Sequence, residues 1–224
     1  MMNQKLLIQA ITKFLAGLVL ISVLLFLPAG TLHYKNGWIF IGVLFIPMLI
    51  MGIVLITKNP ELLQKRLNAR ESESDQKKVV AFSGIMFLLG FITAGLNYHF
   101  QWLMLSNWFV IVFSLVFLFG YGMYAEVLRE NTYLSRTVEV QENQKIIDTG
   151  LYGIVRHPMY TATILMFLSV PLILGSPISF VIFLFYPVII IMRIRNEEKI
   201  LENGLPGYTE YQKKVKYRLL PFIW

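Results

Sequence analysis

The chain has 224 residues, of which 56% are hydrophobic and 15% charged, with a formal net charge of +7. Soluble domains carry about 25% charged residues, so this composition excludes an ordinary soluble fold. The absence of cysteine removes disulfides, thiolate nucleophiles and cysteine-held metals. His33, His99 and His157 show no H-x-x-x-H spacing, so no metal site is expected.

In chain order, six apolar segments read as membrane spans, near 8–28, 38–57, 79–98, 108–128, 158–174 and 177–194. Runs of about 20 apolar residues suffice for a hydrocarbon core of about 30 Å. The first lacks a small-residue cleavage site and runs too long for a cleavable signal. Gly175-Ser176-Pro177 separates the last two, a stop-and-restart signal that makes them a helical hairpin. Asn59-Pro60-Glu61 opens a short amphipathic helix expected to lie along the headgroups. Ser72 to Lys78 reads as a polar, irregular stretch, and a last short helix is expected from Tyr208 to Tyr217. The fold class is therefore all-α and polytopic, a single membrane domain of four N-terminal spans (1–128) and a C-terminal core (129–224).

Nineteen of the 20 basic residues and all 13 acidic ones fall on one side of this arrangement, leaving Lys35 alone opposite. The positive-inside rule places that side, with both termini, in the cytoplasm. The basic surplus therefore belongs to a membrane surface, and no nucleic-acid partner is expected.

Two polar clusters bracket the hairpin, Gly150 to Tyr160 before it and Arg193 to Glu198 after it. Ionisable groups beside a span are costly and mark functional sites. Pro158 suits the first turn of a helix and extends His157, so the backbone donors there face an anion; a helix cap with a basic anchor is the plain alternative. Arg193 and Glu197 share a helix face and can pair, while Glu198 is turned about 100° away. Arg195 and Lys199 read as an ordinary charge belt. Tyr152, Tyr160, Tyr208 and Tyr211 surround the clusters, either as interface anchors or as walls for a cation and a flat ring. Gly120-x-Gly122-x-x-Ala125 fits a dinucleotide fingerprint but sits inside a span with no preceding strand, so close helix packing explains it. Gly90 and Ala94 invite the same explanation, and snorkelling accounts for Lys13 and His99.

The ordered run Thr149-Gly150-Leu-Tyr152-Gly-Ile-Val-Arg156-His157-Pro158-Met-Tyr160, the hairpin, Arg193-x3-Glu197-Glu198, then Gly207-Tyr208-x2-Tyr211 to Pro221 resembles the isoprenylcysteine carboxyl methyltransferase family. The resemblance covers roughly Glu139 to Trp224. It implies S-adenosylmethionine as methyl donor in a cytoplasm-facing pocket, with Tyr152, Arg156, His157, Pro158, Tyr160 and Glu198 as cofactor-binding residues. It also implies Arg193 and Glu197 as catalytic residues, no metal, and a lipidic acceptor reaching the pocket through the membrane. The ending Val215 to Trp224 also resembles membrane sterol reductases, which use a nicotinamide cofactor. The adjacent acids Glu197 and Glu198 argue against phosphate-bearing cofactors. A scaffold or transporter is a third possibility, but the second to fourth spans hold little polar material beyond Ser83, Thr93 and Ser114.

Overall fold

The structure, a computed structural model, describes residues 4–68, 73–135, 137 and 140–224. The described residues form α-helices, α1 (Gln4–Ala29), α2 (Lys35–Lys58), α3 (Pro60–Leu67), α4 (Ser74–Phe100), α5 (Asn107–Glu130), α6 (Pro158–Ile173), α7 (Pro177–Phe183), α8 (Phe185–Gly204) and α9 (Tyr208–Lys214), plus one 3-10 turn at Gly150–Gly153. Each of the six apolar segments is helical. Five stretches are long and apolar enough to cross a membrane: α1, α2, α4, α5 and the run Pro177–Gly204.

That last run is interrupted at Leu184, where a single span was expected. Pro187 has no N–H to offer the Phe183 carbonyl, and its ring crowds that carbonyl, so the ladder breaks there. With Pro177–Gly204 taken as one span, the shortest span is α6, with 16 residues, about 24 Å against a core of about 30 Å. Its far end is fixed: Tyr34 Oη donates to Leu174 O at 2.5 Å, and Leu105 N donates to Gly175 O at 3.1 Å. The helix thus falls about 6 Å short of that thickness.

Small residues set the helix spacings, as expected at two positions. A Cβ at Gly120 would lie 3.0 Å from Met166 Cγ and 3.1 Å from Ala162 O, so α5 and α6 meet backbone to backbone there. A Cβ at Gly90 would lie 2.3 Å from the Phe183 ring, and Ser179 Oγ donates to Gly90 O at 2.7 Å. Gly122 faces open space and takes no part. Phe87 joins Phe167 and Phe183 edge to face, at 4.9 and 5.5 Å between centroids, filling the core between α4, α6 and α7. Outward residues of α1 such as Ile8, Ile11, Leu15 and Val19 are exposed, as a lipid-facing surface requires.

The amphipathic helix forms as read. Asn59 caps it by accepting from Leu62 N at 3.1 Å, and Leu62 and Leu63 bury against Leu6, Leu55 and Leu128. Lys13 and His99 do more than snorkel: Lys13 Nζ donates to Leu67 O at the end of α3, and His99 Nδ1 lies 3.1 Å from Ala29 O at the end of α1. The polar stretch Ser74 to Lys78, read as lying before the third span, forms the first turns of α4, while Ser72 lies outside the described residues. Buried Gln76 explains the difference, since its Nε2 donates to Arg193 O at 3.3 Å and ties the start of α4 to α8. The last helix ends at Lys214, and the chain then runs extended to the hairpin mouth.

Candidate cofactor pocket and reaction centre

The tail and the start of α6 are joined first through backbone. Arg156 N donates to Tyr217 O and His157 N to Arg218 O, both at 2.9 Å, and Thr161 Oγ1 donates to Leu219 O at 2.8 Å. The donors expected to face an anion at Arg156 and His157 are therefore spent on the chain itself.

Behind this seam lies a buried ionic cluster. Glu198 is 3% exposed, Arg156 7% and His157 5%. Arg156 Nε and Nη2 donate to Glu198 Oε1 at 2.9 and 2.8 Å, and His157 Nε2 lies 3.3 Å from the same oxygen. Arg218 Nε donates to Oε2 at 2.7 Å. Arg156 Nη1 donates to Val215 O at 2.7 Å and Lys216 O at 2.9 Å, so four of its five N–H donors are engaged. A carboxylate this deep is tolerable only when paired and hydrogen-bonded, and here it ties α6, α8 and the tail together.

One residue earlier on α8, Glu197 points elsewhere. Tyr160 Oη donates to Glu197 Oε2 at 2.5 Å and accepts from Arg193 Nε at 2.9 Å. The expected pairing of Arg193 with Glu197 thus includes a phenol bridge from α6. This series faces a recess of about 100 Å³ that opens through a wider mouth. Small-molecule pockets usually measure about 300–1,000 Å³, so a nucleoside-sized ligand would occupy the mouth as well as the enclosed part.

Tyr152, Arg156, His157, Tyr160, Arg193 and Glu197 all line this recess. Pro158 is buried as the first residue of α6 and Glu198 stands behind Arg156 and His157; neither is part of the lining. Tyr208 and Tyr211 complete one wall. Tyr211 Oη donates to Tyr152 O at 2.7 Å, and Asn131 Nδ2 donates to Tyr152 Oη at 2.9 Å. Burial pushes the phenols of Tyr152, Tyr208 and Tyr211 well above their ordinary pKa, so all three stay protonated. The Tyr208 hydroxyl is buried with no hydrogen-bond partner among the described residues, an unmet cost of about 1–3 kcal/mol that a polar ligand in the recess would relieve.

The other wall was not anticipated. Asn131, Tyr133, Leu134, Ser135 and Thr137 line it, followed by Gln144 to Ile147. Two cations of α3 hold that segment: Lys65 Nζ donates to Thr132 O at 3.4 Å, and Arg66 Nη1 to Ser135 O at 3.0 Å. Arg66 also donates to Tyr124 Oη on α5. At the far end of the segment Gly150 has φ +50°, and a Cβ there would lie 2.0 Å from Glu130 Oε1, so only glycine fits. A signal was available, since a connection this long between helices is uncommon unless functional. Nothing in the sequence pointed to Arg66. Leu201, four residues after Glu197 and on the same face, follows from helical spacing.

Residues 109–203 match the model of the isoprenylcysteine carboxyl methyltransferase (ICMT) family. Over that stretch the chain is similar to the ICMT family. A solved structure described as the eukaryotic intramembrane Ras methyltransferase ICMT superposes with a TM-score of 0.59 and 20% identity, over 96% of this chain and 77% of that one, which speaks to the fold. Two curated relatives are Delta(14)-sterol reductases. The one from Mus musculus is 28% identical over 91 residues, 39% of this chain, and the one from Arabidopsis thaliana 25% over 130 residues, 51% of this chain. The alignments span 22% and 34% of those relatives' own lengths. The chain is an integral, multi-pass membrane protein.

Proposed function

We propose that the chain is an S-adenosylmethionine-dependent methyltransferase acting at the cytoplasmic membrane face on a lipidic or membrane-partitioned acceptor, a carboxylate or an amine. The observation that carries this is the bonded series Arg193–Tyr160–Glu197, which faces the same recess as the unpartnered hydroxyl of Tyr208. The gathering of basic residues at this end of the molecule supports a cytoplasmic face.

Bound S-adenosylmethionine would supply an electrophilic methyl group on a sulfonium centre. Tyr152, Tyr208 and Tyr211 offer ring faces to a cation or a purine, and the Tyr208 hydroxyl offers a hydrogen bond. Arg156 brings shape and field rather than donors, since four of its N–H groups are spent. Methyl transfer depends chiefly on alignment, so a recess fixed by the ionic seam behind it contributes most through positioning. Arg193 can orient an acceptor carboxylate, which needs no base. An acceptor amine must lose a proton, and Glu197 is placed to take it, directly or through Tyr160. With α6 about a turn short of a full span, this centre would lie within reach of a lipidic acceptor arriving sideways from the bilayer.

A second reading, a nicotinamide-dependent reductase, is favoured by the curated relatives. The electrostatic objection to it is weaker than the sequence implied. Glu198 is neutralised by Arg156 and Arg218, which leaves Glu197 as its remaining basis. Calorimetry on detergent-purified protein with S-adenosylhomocysteine and with NADPH separates the two readings. Binding of S-adenosylhomocysteine alone is expected; binding of NADPH alone would overturn the methyltransferase.

A further inference from the structure

On the other flank of α3, between it and α1, lies a second and larger cleft. Gln9 and Lys13 of α1 line it with Glu61, Gln64, Lys65 and Leu67 of α3, and its volume is about 940 Å³. Its depth follows from α1. Counting about 20 residues of span back from Ala29 on the far side reaches Ala10, so Gln9 sits at the boundary of the hydrocarbon and Lys13 about 4.5 Å inside it. Lys13 reaches α3 by donating to Leu67 O, which holds the end of α3 at the same level. The cleft is thus a polar hollow at headgroup depth. Ile8, Ile11 and Leu15, exposed on α1 beside it, present an apolar surface for acyl chains.

The lining is built for a phosphodiester. Lys13 and Lys65 each place one N–H on a carbonyl, Leu67 O and Thr132 O, and an ammonium has three. The amides of Gln9 and Gln64 add neutral donors, and a single carboxylate, Glu61, stands among two lysines. We infer that this cleft binds one glycerophospholipid, its phosphate on Lys13 and Lys65 and a headgroup donor, ammonium or hydroxyl, on Glu61. Phosphatidylethanolamine and phosphatidylglycerol carry such a donor, whereas phosphatidylcholine has none. The inference stands apart from the proposed reaction, because it concerns a different cleft and a different ligand.

Native mass spectrometry tests it, using the full chain released from detergent micelles with defined lipids or with inorganic phosphate. One phosphatidylethanolamine or phosphatidylglycerol should survive partial delipidation while phosphatidylcholine is lost. The double variant Lys13→Gln/Lys65→Gln should retain about tenfold less, the loss expected from one charge-assisted hydrogen bond, while Lys199→Gln/Lys213→Gln, away from the cleft, retains as much as the parent. Gln9→Glu removes no observed contact and adds a carboxylate, so it should lower retention in a chain that keeps both lysines. Equal retention of phosphatidylcholine, undiminished retention in both cleft variants, or inorganic phosphate bound as firmly as lipid would each overturn the assignment.

Discussion

Glu197 and Glu198 are neighbours in sequence on one helix, yet they occupy opposite kinds of environment. Glu198 is sealed among Arg156, His157 and Arg218. Glu197 stands at the edge of a recess, joined to Arg193 through the bridge of Tyr160, with its surroundings open to a ligand. A rotation of about 100° per residue is enough to give one acid to architecture and the other to chemistry. A paired-acid motif is therefore two positions with separate jobs.

Breaking the sealed side should have the largest effect. Glu198→Ala strands the buried Arg156 guanidinium and His157 imidazole and leaves the partly exposed Arg218 without its carboxylate, and is expected to cost about 3–5 kcal/mol of stability. The readout is thermal unfolding in detergent. A variant that melts like the parent but no longer binds S-adenosylhomocysteine would reverse the assignment and make Glu198 a ligand-binding group.

On the open side the expected effects are kinetic. Glu197→Gln should leave melting unchanged and S-adenosylhomocysteine affinity nearly so, while methyl transfer to an amine acceptor falls by about 10²–10⁴-fold, the usual worth of a general base. A carboxylate acceptor should be far less sensitive, so the two acceptor classes compared in one assay sharpen the distinction. Equal losses for both would assign Glu197 to positioning.

Tyr208→Phe should have a smaller effect of opposite signs. Removing an unpartnered buried hydroxyl leaves the unliganded protein as stable or slightly more so, by about 1 kcal/mol. Affinity for S-adenosylhomocysteine should fall by about tenfold if the hydroxyl binds the ligand; unchanged affinity would leave the orphan hydroxyl without a role. The smallest effect concerns the exposed pair Lys214–Asp148. A hydrogen bond from Lys214 holds the Asp148 carboxyl below its ordinary pKa. Its contribution is therefore present above the ordinary carboxylate pKa and lost as pH falls through the lowered one. Lys214→Gln should lower the melting temperature slightly at pH 7, and by progressively less as the pH falls below the ordinary carboxylate range.

Much of this was legible from residues near each other in sequence. Apolar runs showed the spans, Asn59-Pro60 the start of α3, and Gly175-Ser176-Pro177 the turn. The lining residues from Tyr152 to Tyr160, with Arg193 and Glu197, were legible as a group through their motifs. Illegible parts depend on long-range geometry. Which way Glu198 turns depends on partners 42 residues before it and 20 after it. The break at Leu184 needed attention to the carbonyl that Pro187 leaves bare, rather than to hydropathy. Arg66 reaches Ser135 across 69 residues, and an amphipathic helix gives no hint of which cation reaches across.

The seam between Arg156-His157 and Tyr217-Arg218 bears on how the molecule is made. Synthesis runs from the N-terminus, so α6 and α8 enter the bilayer before the carbonyls of Val215 to Arg218 leave the ribosome. During that interval Glu198 has Arg156 and His157 but not Arg218, and Arg156 lacks two carbonyl partners. The membrane half of the protein can thus be fully inserted while its recess is still unformed, and the tail acts as the last keystone of biogenesis. A released chain truncated before Val215 would keep the Arg156–Glu198 pair but lack the carbonyls of Val215 and Lys216 and the guanidinium of Arg218 that complete it.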